Sequence, residues 1–215
     1  MFVDLSHTIT HDMITYPGLP SPSIRALIDH DDSVQHYGPG TTFHIGQIEM
    51  VANTGTYLDA PFHRFIEGSD ISRLDLSTIA NLAGILVSVQ AASRSIGPES
   101  LAGLDVSGKA VLFHTGWSIH FGTPQYAVDY PFLAAETALE LVNQGAALVG
   151  IDALNIDDNR DPIRPVHTTL LQAGIPIVEH LTGLSPLSNK AFRFFAVPPK
   201  VEGLGSFPVR AFALL

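Results

Sequence analysis

Seven short apolar runs separated by turn residues constrain this 215-residue chain more than any other feature. They are Phe43–Val51, Gly84–Ala91, Lys109–Phe113, Ala146–Ile151, Ile175–Val178, Phe192–Val197 and Val209–Leu215. Each is short and most are rich in β-branched or aromatic side chains, which predicts strands. Ahead of them, Pro17, Gly18, Pro20, Pro22, Gly38, Pro39 and Gly40 predict a long irregular segment. Helices are fewer. The clearest spans Pro131–Gln144, with Asp129 or Tyr130 as its cap and Gly145 as its stop. Leu133, Thr137 and Leu141 lie beside Ala134, Ala138 and Val142 as one helical face. A shorter helix is predicted over Val166–Ala173 and another over Ser72–Leu82. The expected class is α/β with more strand than helix. Without repeat, low-complexity tract or linker, residues 1–215 read as a single domain.

Composition narrows the function. Hydrophobic residues reach 46% and charged residues only 15%, so a packed core is expected and disorder is excluded. Eleven basic residues against 21 acidic ones give a net charge of −10, and no basic cluster offsets it. Such a surface repels phosphate backbones, so no nucleic-acid partner is expected. No apolar run approaches the ~18 residues of a membrane span, so no membrane role is expected. No basic segment leads into an apolar one at the start of the chain, so a cytoplasmic location is expected. The chain has no cysteine, which removes disulfides and thiolate chemistry. Its ten histidines and its carboxylates are then the available metal ligands.

Two segments concentrate these groups. In Asn53-Thr-Gly-Thr-Tyr57-Leu-Asp59-Ala-Pro-Phe-His63-Arg-Phe65, Pro61 pushes Ala60 to extended geometry and Gly55 permits a tight turn. Asp59 and His63 are thus expected on a loop following a strand. Spacing alone favours the plainer reading, Asp59 as a helix cap and His63 as a packed turn residue. In the second segment His167 opens a short helix, Gly174 ends it and Ile175–Val178 returns as a strand. That path can bring Glu179 back beside His167. A glutamate ending an apolar strand needs a counter-charge or a metal if it is buried, and is a surface residue if it is not.

Taken together, these motifs resemble the cyclase-like metal-dependent hydrolases, the family that includes bacterial kynurenine formamidases and isatin hydrolases. Asp4-Leu-Ser-His7 and Tyr16-Pro-Gly18 are similar to the family's opening. Asn53–His63 is similar to its HxGTHxDxPxH signature, and Leu112-Phe-His-Thr115-Gly-Trp117 to its TGW strand end. Gly150-Ile-Asp152 resembles the next strand. His167 with Leu170-Leu171, then Ile177-Val-Glu179, resembles the second metal segment. The chain departs from the signature at two positions, where Asn53 and Tyr57 stand for histidines.

The resemblance implies a swivelling β/β/α architecture, assembled as a homodimer or higher homo-oligomer. It also implies a small-molecule substrate, an amide or cyclic amide whose carbonyl is attacked by a metal-activated water. Asp59, His167 and Glu179 would hold one divalent ion, zinc or manganese, with Asn53 as a weaker oxygen ligand that favours oxygen-tolerant Mn²⁺ or Mg²⁺. His63 would be the acid/base. Tyr57 would donate to the oxyanion or fill the vacated subsite. Phe65 and Trp117 would line an aromatic pocket, and Arg64 and Arg164 would hold a substrate carboxylate. Asp157, Asp158 and Asp161 read as solvated turn residues, Asp152 as a structural one, His114 as a satisfied core histidine, and His7 as an anchor of the N-terminal segment. The alternative is a metal-free relative that binds a small molecule or a partner without hydrolysis.

Overall fold

The computed structural model describes residues 1–89 and 94–215. In chain order its strands are β1 (Phe2–Asp4), β2 (Ser23–Ile28), β3 (Ile45–Glu49), β4 (Tyr57–Asp59), β5 (Leu82–Ser88), β6 (Ser95–Ile96), β7 (Ala110–His114), β8 (Phe132–Leu133), β9 (Leu148–Ile151), β10 (Ile177–Glu179), β11 (Phe192–Phe195), β12 (Ser206–Pro208) and β13 (Phe212–Leu214). The α-helices are α1 (His30–Ser33), α2 (Ala135–Asn143) and α3 (Pro165–Gln172). Nine strands form a mixed sheet in the order β1-β13-β11-β5-β7-β9-β10-β4-β12, with β2–β3 and β6–β8 as separate pairs. The four central strands run parallel, and the flanking pairings are antiparallel.

Alternation along the central strands builds a core on each face. Val111 and Phe113 of β7, with Val149 and Ile151 of β9, pack beneath Ala138 and Leu141 of α2 and Leu170 and Leu171 of α3. Ala110, Leu112 and Leu148 face the opposite side, against Leu58, Val178, Leu181 and Phe194. Burial on both faces explains why these parallel strands are continuous apolar runs in the sequence. No helix among the described residues is long and apolar enough to cross a membrane.

The strand-rich α/β class is the one observed, with corrections to its elements. The expected Pro131–Gln144 helix gives its first turn to β8, because Phe132 and Ala134 donate backbone hydrogen bonds to Arg94 and Ile96. Helix α2 therefore starts after Ala134 rather than after Asp129 or Tyr130. Ser72–Leu82 holds two short 3₁₀ turns, capped by the Asp70 and Asp75 side chains, instead of a helix. The proline-rich opening contains β2, which pairs with β3 outside the main sheet. Ala91, the last residue of one expected strand, lies outside the described residues.

Core burial also encloses a titratable group. His180 follows β10 at φ 57°, fully buried, with the Tyr126 hydroxyl 3.0 Å from Nδ1 and no hydrogen-bond partner on Nε2. Burial, aided by nearby His7, pushes its pKa down to about 3. Between that value and the ordinary 6.5, the unfolded chain binds a proton the folded one refuses, so stability falls as pH falls. At pH 5 this amounts to about 2 kcal/mol. Urea unfolding at pH 7 and pH 5 should show the wild type losing about that much more than His180→Asn, a variant that tolerates the left-handed backbone. Equal losses would exclude the effect.

Candidate functional site

The site is set by strand register. β4 lies between β10 and β12, with Glu179 directly opposite Tyr57 and Ser206 directly opposite Asp59. Directly opposed residues share a face, so Tyr57, Asp59, Glu179 and Ser206 project together while Leu58 enters the core beneath. Asp59 thus stands on a strand, not on the loop expected from the sequence, and it caps no helix. Ala60 is extended, as its proline neighbour requires, and the 3₁₀ turn Pro61–His63 then places His63 above Asp59. A Cβ on Gly205 would lie 2.5 Å from the His63 Cα and 2.6 Å from its nitrogen, so only glycine allows the two backbones to meet. Helix α3 supplies His167 from its first turn.

Hydrogen bonds fix the protons. The Ser206 hydroxyl donates to Asp59 Oδ1 and accepts from Asn53 Nδ2 at 3.2 Å. It also lies 3.0 Å from His63 Nδ1. With its one proton on Asp59, the hydroxyl can only accept from His63 Nδ1–H, which leaves Nε2 with its lone pair. The Tyr57 hydroxyl donates to Glu179 Oε2 at 2.5 Å. Glu179 Oε1 accepts from the Ile156 backbone at 2.6 Å, and Asn155 Nδ2 reaches Oε2 at 3.4 Å.

His167 is the centre of charge. Its Nδ1 lies 2.7 Å from Asp157 Oδ2, while Nε2 faces Asp59 Oδ2 at 3.7 Å and Glu179 Oε1 at 3.6 Å. All four side chains are buried. Burial opposes a charged imidazole, but the hydrogen bond with Asp157 and the nearby Asp59 and Glu179 carboxylates outweigh it and raise His167 to about 10. Burial raises Glu179 to about 7 against the pull of His167. Asp59 is held below the usual carboxylate range, because His63, His167 and Ser206 together overcome its burial. The two facing carboxylates favour a cation at Nε2, whether a proton or a metal. Asp59 Oδ2 is a buried acceptor without a hydrogen-bond partner, and ligand atoms of Asp59, His63 and His167 lie within 4.8 Å of one another. The donor set fits a divalent ion, with Asp157 in the role of the carboxylate that orients a ligating imidazole.

These groups open into a cavity of about 490 Å³, also lined by Tyr16, Asn53, Arg64, Asn155 and Arg164. The structure thus brings Asn53, Tyr57, Asp59, His63, Arg64, His167 and Glu179 together. It places Phe65 and Trp117 against the helix-side core, and neither lines the cavity. The Trp117 indole donates to the Tyr126 carbonyl at 3.0 Å. Asp152 accepts three hydrogen bonds from Thr115 and Gly116, the structural duty expected of it. The His7 backbone donates to Thr56 Oγ1 and its ring stacks on Phe121, anchoring the N-terminal segment.

Three site residues, Asn155, Asp157 and Ser206, escaped the sequence reading. Asp157 is no solvated turn residue: it accepts from the backbone of Val166 and His167 as well as from the His167 ring. Its only sequence signal is an acid in the loop preceding a helix. Ser206 carries no local signal, since it meets Asp59 across 147 positions through strand pairing alone.

Residues 3–158 match the Cyclase family. The chain belongs to the Cyclase family. Among its relatives, kynurenine formamidase of Bacillus cytotoxicus is 28% identical over 211 residues, covering 98% of this chain and 95% of that one. Kynurenine formamidase of Geobacillus thermodenitrificans is 30% identical over 213 residues, with the same coverage. Among solved structures, a potential metal-dependent hydrolase with cyclase activity superposes with a TM-score of 0.81 at 25% identity, over 99% of this chain and 96% of that one. Isatin hydrolase A from Labrenzia aggregata gives 0.83 at 22% identity, over 99% and 93%, and shares the fold. The architecture of this Cyclase family chain is thus that of a known hydrolase scaffold.

The hydrogen-bond pattern sets the His63 tautomer. Nitrogen-15 NMR of the imidazoles should report Nδ1–H for His63 in the wild type, and a shift towards Nε2–H in Ser206→Ala, where the acceptor is gone. An unchanged tautomer in that variant would show that Ser206 does not orient the ring.

Proposed function

We propose that this protein is a metal-dependent hydrolase of a small amide or cyclic amide. The observation that carries the reading is the buried His167 Nε2 aimed at two carboxylates, one with an unpartnered oxygen, at the wall of a cavity. The names of its Cyclase family relatives, formamidases and isatin hydrolases, supply the bond class. Asp59 and His167 would hold one divalent ion, zinc or manganese, with Glu179 closing the set and Asn53 at its margin. When bound, such an ion polarises a carbonyl and acidifies water.

The chain's own residues then divide the work. Ser206 and Asp59 hold His63 with its Nε2 lone pair available, so His63 takes a proton from the attacking water and returns it to the leaving nitrogen. Asp157 keeps the His167 ring in one tautomer and orientation. Asn53 and Tyr57 stand where the family signature has histidines. The single Tyr57 proton is held by Glu179, which supports a filling role more than donation to an oxyanion. The domain spans residues 1–215 and works in the cytoplasm. The apolar Leu27, Ile45 and Ile48, exposed on the β2–β3 pair, support a homodimer.

A second reading makes His63 the third ligand, because its ligand atom lies within 4.8 Å of those of Asp59 and His167. Elemental analysis of protein purified without a chelating tag tests both. About one equivalent of divalent metal is expected in the wild type and none in Asp59→Ala/His167→Ala. His63→Asn should keep the metal and lose about 100-fold or more in amide turnover if His63 is the acid/base. Loss of the metal instead would make His63 a ligand. Wild type that stays empty after incubation with Zn²⁺, Mn²⁺ and Mg²⁺ would sink the hydrolase reading and leave a metal-free binding protein.

A further inference from the structure

A second cleft lies beside the site cavity. It encloses about 410 Å³ between residues 14–21 and the turn that carries Thr123, Tyr126 and Ala127, with the buried Leu154 also lining it. No acidic, basic or histidine side chain lines it. Three of its four hydroxyls are engaged elsewhere. Thr15 Oγ1 accepts from the Gly55 backbone at 2.8 Å, Thr123 Oγ1 donates to the His120 carbonyl at 2.7 Å, and the Tyr126 hydroxyl lies 3.0 Å from His180 Nδ1. The fourth belongs to Ser21, an exposed residue. The cleft therefore offers a ligand apolar surface and little free polarity. A charged molecule would lose hydration on entry with nothing to replace it.

One turn stands between the two cavities, since Pro17, Gly18 and Leu19 line both. The Leu19 backbone donates to the Tyr16 carbonyl at 3.2 Å, and Gly18 adopts φ 91°. Proline followed by a left-handed glycine at its centre makes this a stiff turn. Among the described residues that bond is the one backbone–backbone hydrogen bond of residues 14–21, so no sheet or helix holds the segment. It hangs instead on two side-chain tethers, and both lead to the candidate site. The Thr15 hydroxyl holds Gly55, just ahead of β4. The Tyr16 hydroxyl bonds to the side chain of Arg164, the residue before α3. β4 carries Tyr57 and Asp59, and α3 carries His167. A stiff turn on few tethers moves as a body when one side of it is filled.

We infer that this second cleft binds a small, uncharged, apolar molecule, and that the turn at Pro17 and Gly18 transmits its presence to the candidate site. About 410 Å³ is the size of a small-molecule pocket and admits a body of two or three rings. A molecule seated there presses the turn towards the site cavity and narrows it. The coupling is reciprocal: a ligand in the site cavity weakens the occupant of the cleft by the same factor. The effect on turnover rests on the amide-hydrolase reading. The cleft itself does not, because its occupation needs no hydrolysis.

Trp117 is the one tryptophan of the chain, and its indole donates to the carbonyl of Tyr126, which lines the cleft. Titration with the neutral fluorophore N-phenyl-1-naphthylamine should quench Trp117 by energy transfer and saturate. Its anionic counterpart, 8-anilinonaphthalene-1-sulfonate, should bind about 10-fold or more weakly. Thr123→Asp, which sets a carboxylate at an exposed part of the lining, should cost the neutral fluorophore about 10-fold, and Thr123→Val should retain it. Ala127→Leu should weaken it by filling the cleft. Hydrogen exchange over residues 14–21 should slow when the neutral fluorophore binds the wild type, and should not change in Thr123→Asp. The fluorophore should raise KM for formanilide several-fold in the wild type and leave it unchanged in Thr123→Asp. Thermal unfolding of each variant checks that the fold is intact. Equal affinity for the two fluorophores, or binding that survives both Thr123→Asp and Ala127→Leu, would overturn the cleft. Unchanged exchange with the fluorophore bound would overturn the coupling. Loss of binding as protein concentration rises, with a larger species in sedimentation, would make a second copy the occupant and overturn the small-molecule site. If no amide is hydrolysed the hydrolase reading fails, and the fluorescence and exchange results still decide the cleft.

Discussion

Three carboxylates converge on one imidazole in the interior of this protein, and most of the site's architecture answers that concentration of charge. Asp157 holds one nitrogen of His167, while Asp59 and Glu179 face the other. Like charges this close resist joint ionisation unless a cation stands between them. The surrounding groups act on the same problem. Tyr57 and the Ile156 backbone donate to Glu179, and Ser206 donates to Asp59. Of the carboxylate oxygens in this cluster, Asp59 Oδ2 is the one left without a donor, and it faces His167 Nε2.

Much of this was legible in the sequence, for identifiable reasons. The parallel strands β7, β9 and β10 are buried on both faces and therefore stand out as apolar runs. Asp59, His63, His167 and Glu179 lie in compact motifs whose local order survives from sequence to structure. What could not be read depends on pairing between distant segments. β4 is three residues long and polar at both ends, so nothing marks it as a strand until β10 and β12 flank it. Ser206 is one of many serines until register sets it against Asp59. Asp157 looked like its solvated neighbours because a cap formed across nine positions leaves no short-range pattern. β8 was hidden by a helical periodicity that begins two residues too early, since the backbone donors of Phe132, Leu133 and Ala134 go to Arg94, Ile156 and Ile96 and not into a helical turn.

Asn53 and Tyr57 carry the polar network of the site outward from its centre. Both still point into the cavity, and both are engaged in hydrogen bonds that continue the polar network. Asn53 bonds to Ser206, hence to the group that orients His63. Tyr57 bonds to Glu179, hence to the group that faces His167. Each of the two therefore acts on one side of the site through a single intermediary.

The placement of β4 has a consequence for how the chain reaches its folded state. Both of its partners come from the last third of the sequence, β10 starting at Ile177 and β12 at Ser206. As the polypeptide is made from its N-terminus, Tyr57-Leu58-Asp59 must wait for about 120 later residues before one edge is satisfied and about 150 before both are. Loop closures of that length are slow, and until they occur the segment offers bare backbone donors and acceptors to any other strand. The candidate site is in this sense a late part of the protein to form, since it needs both β10 and β12 in place.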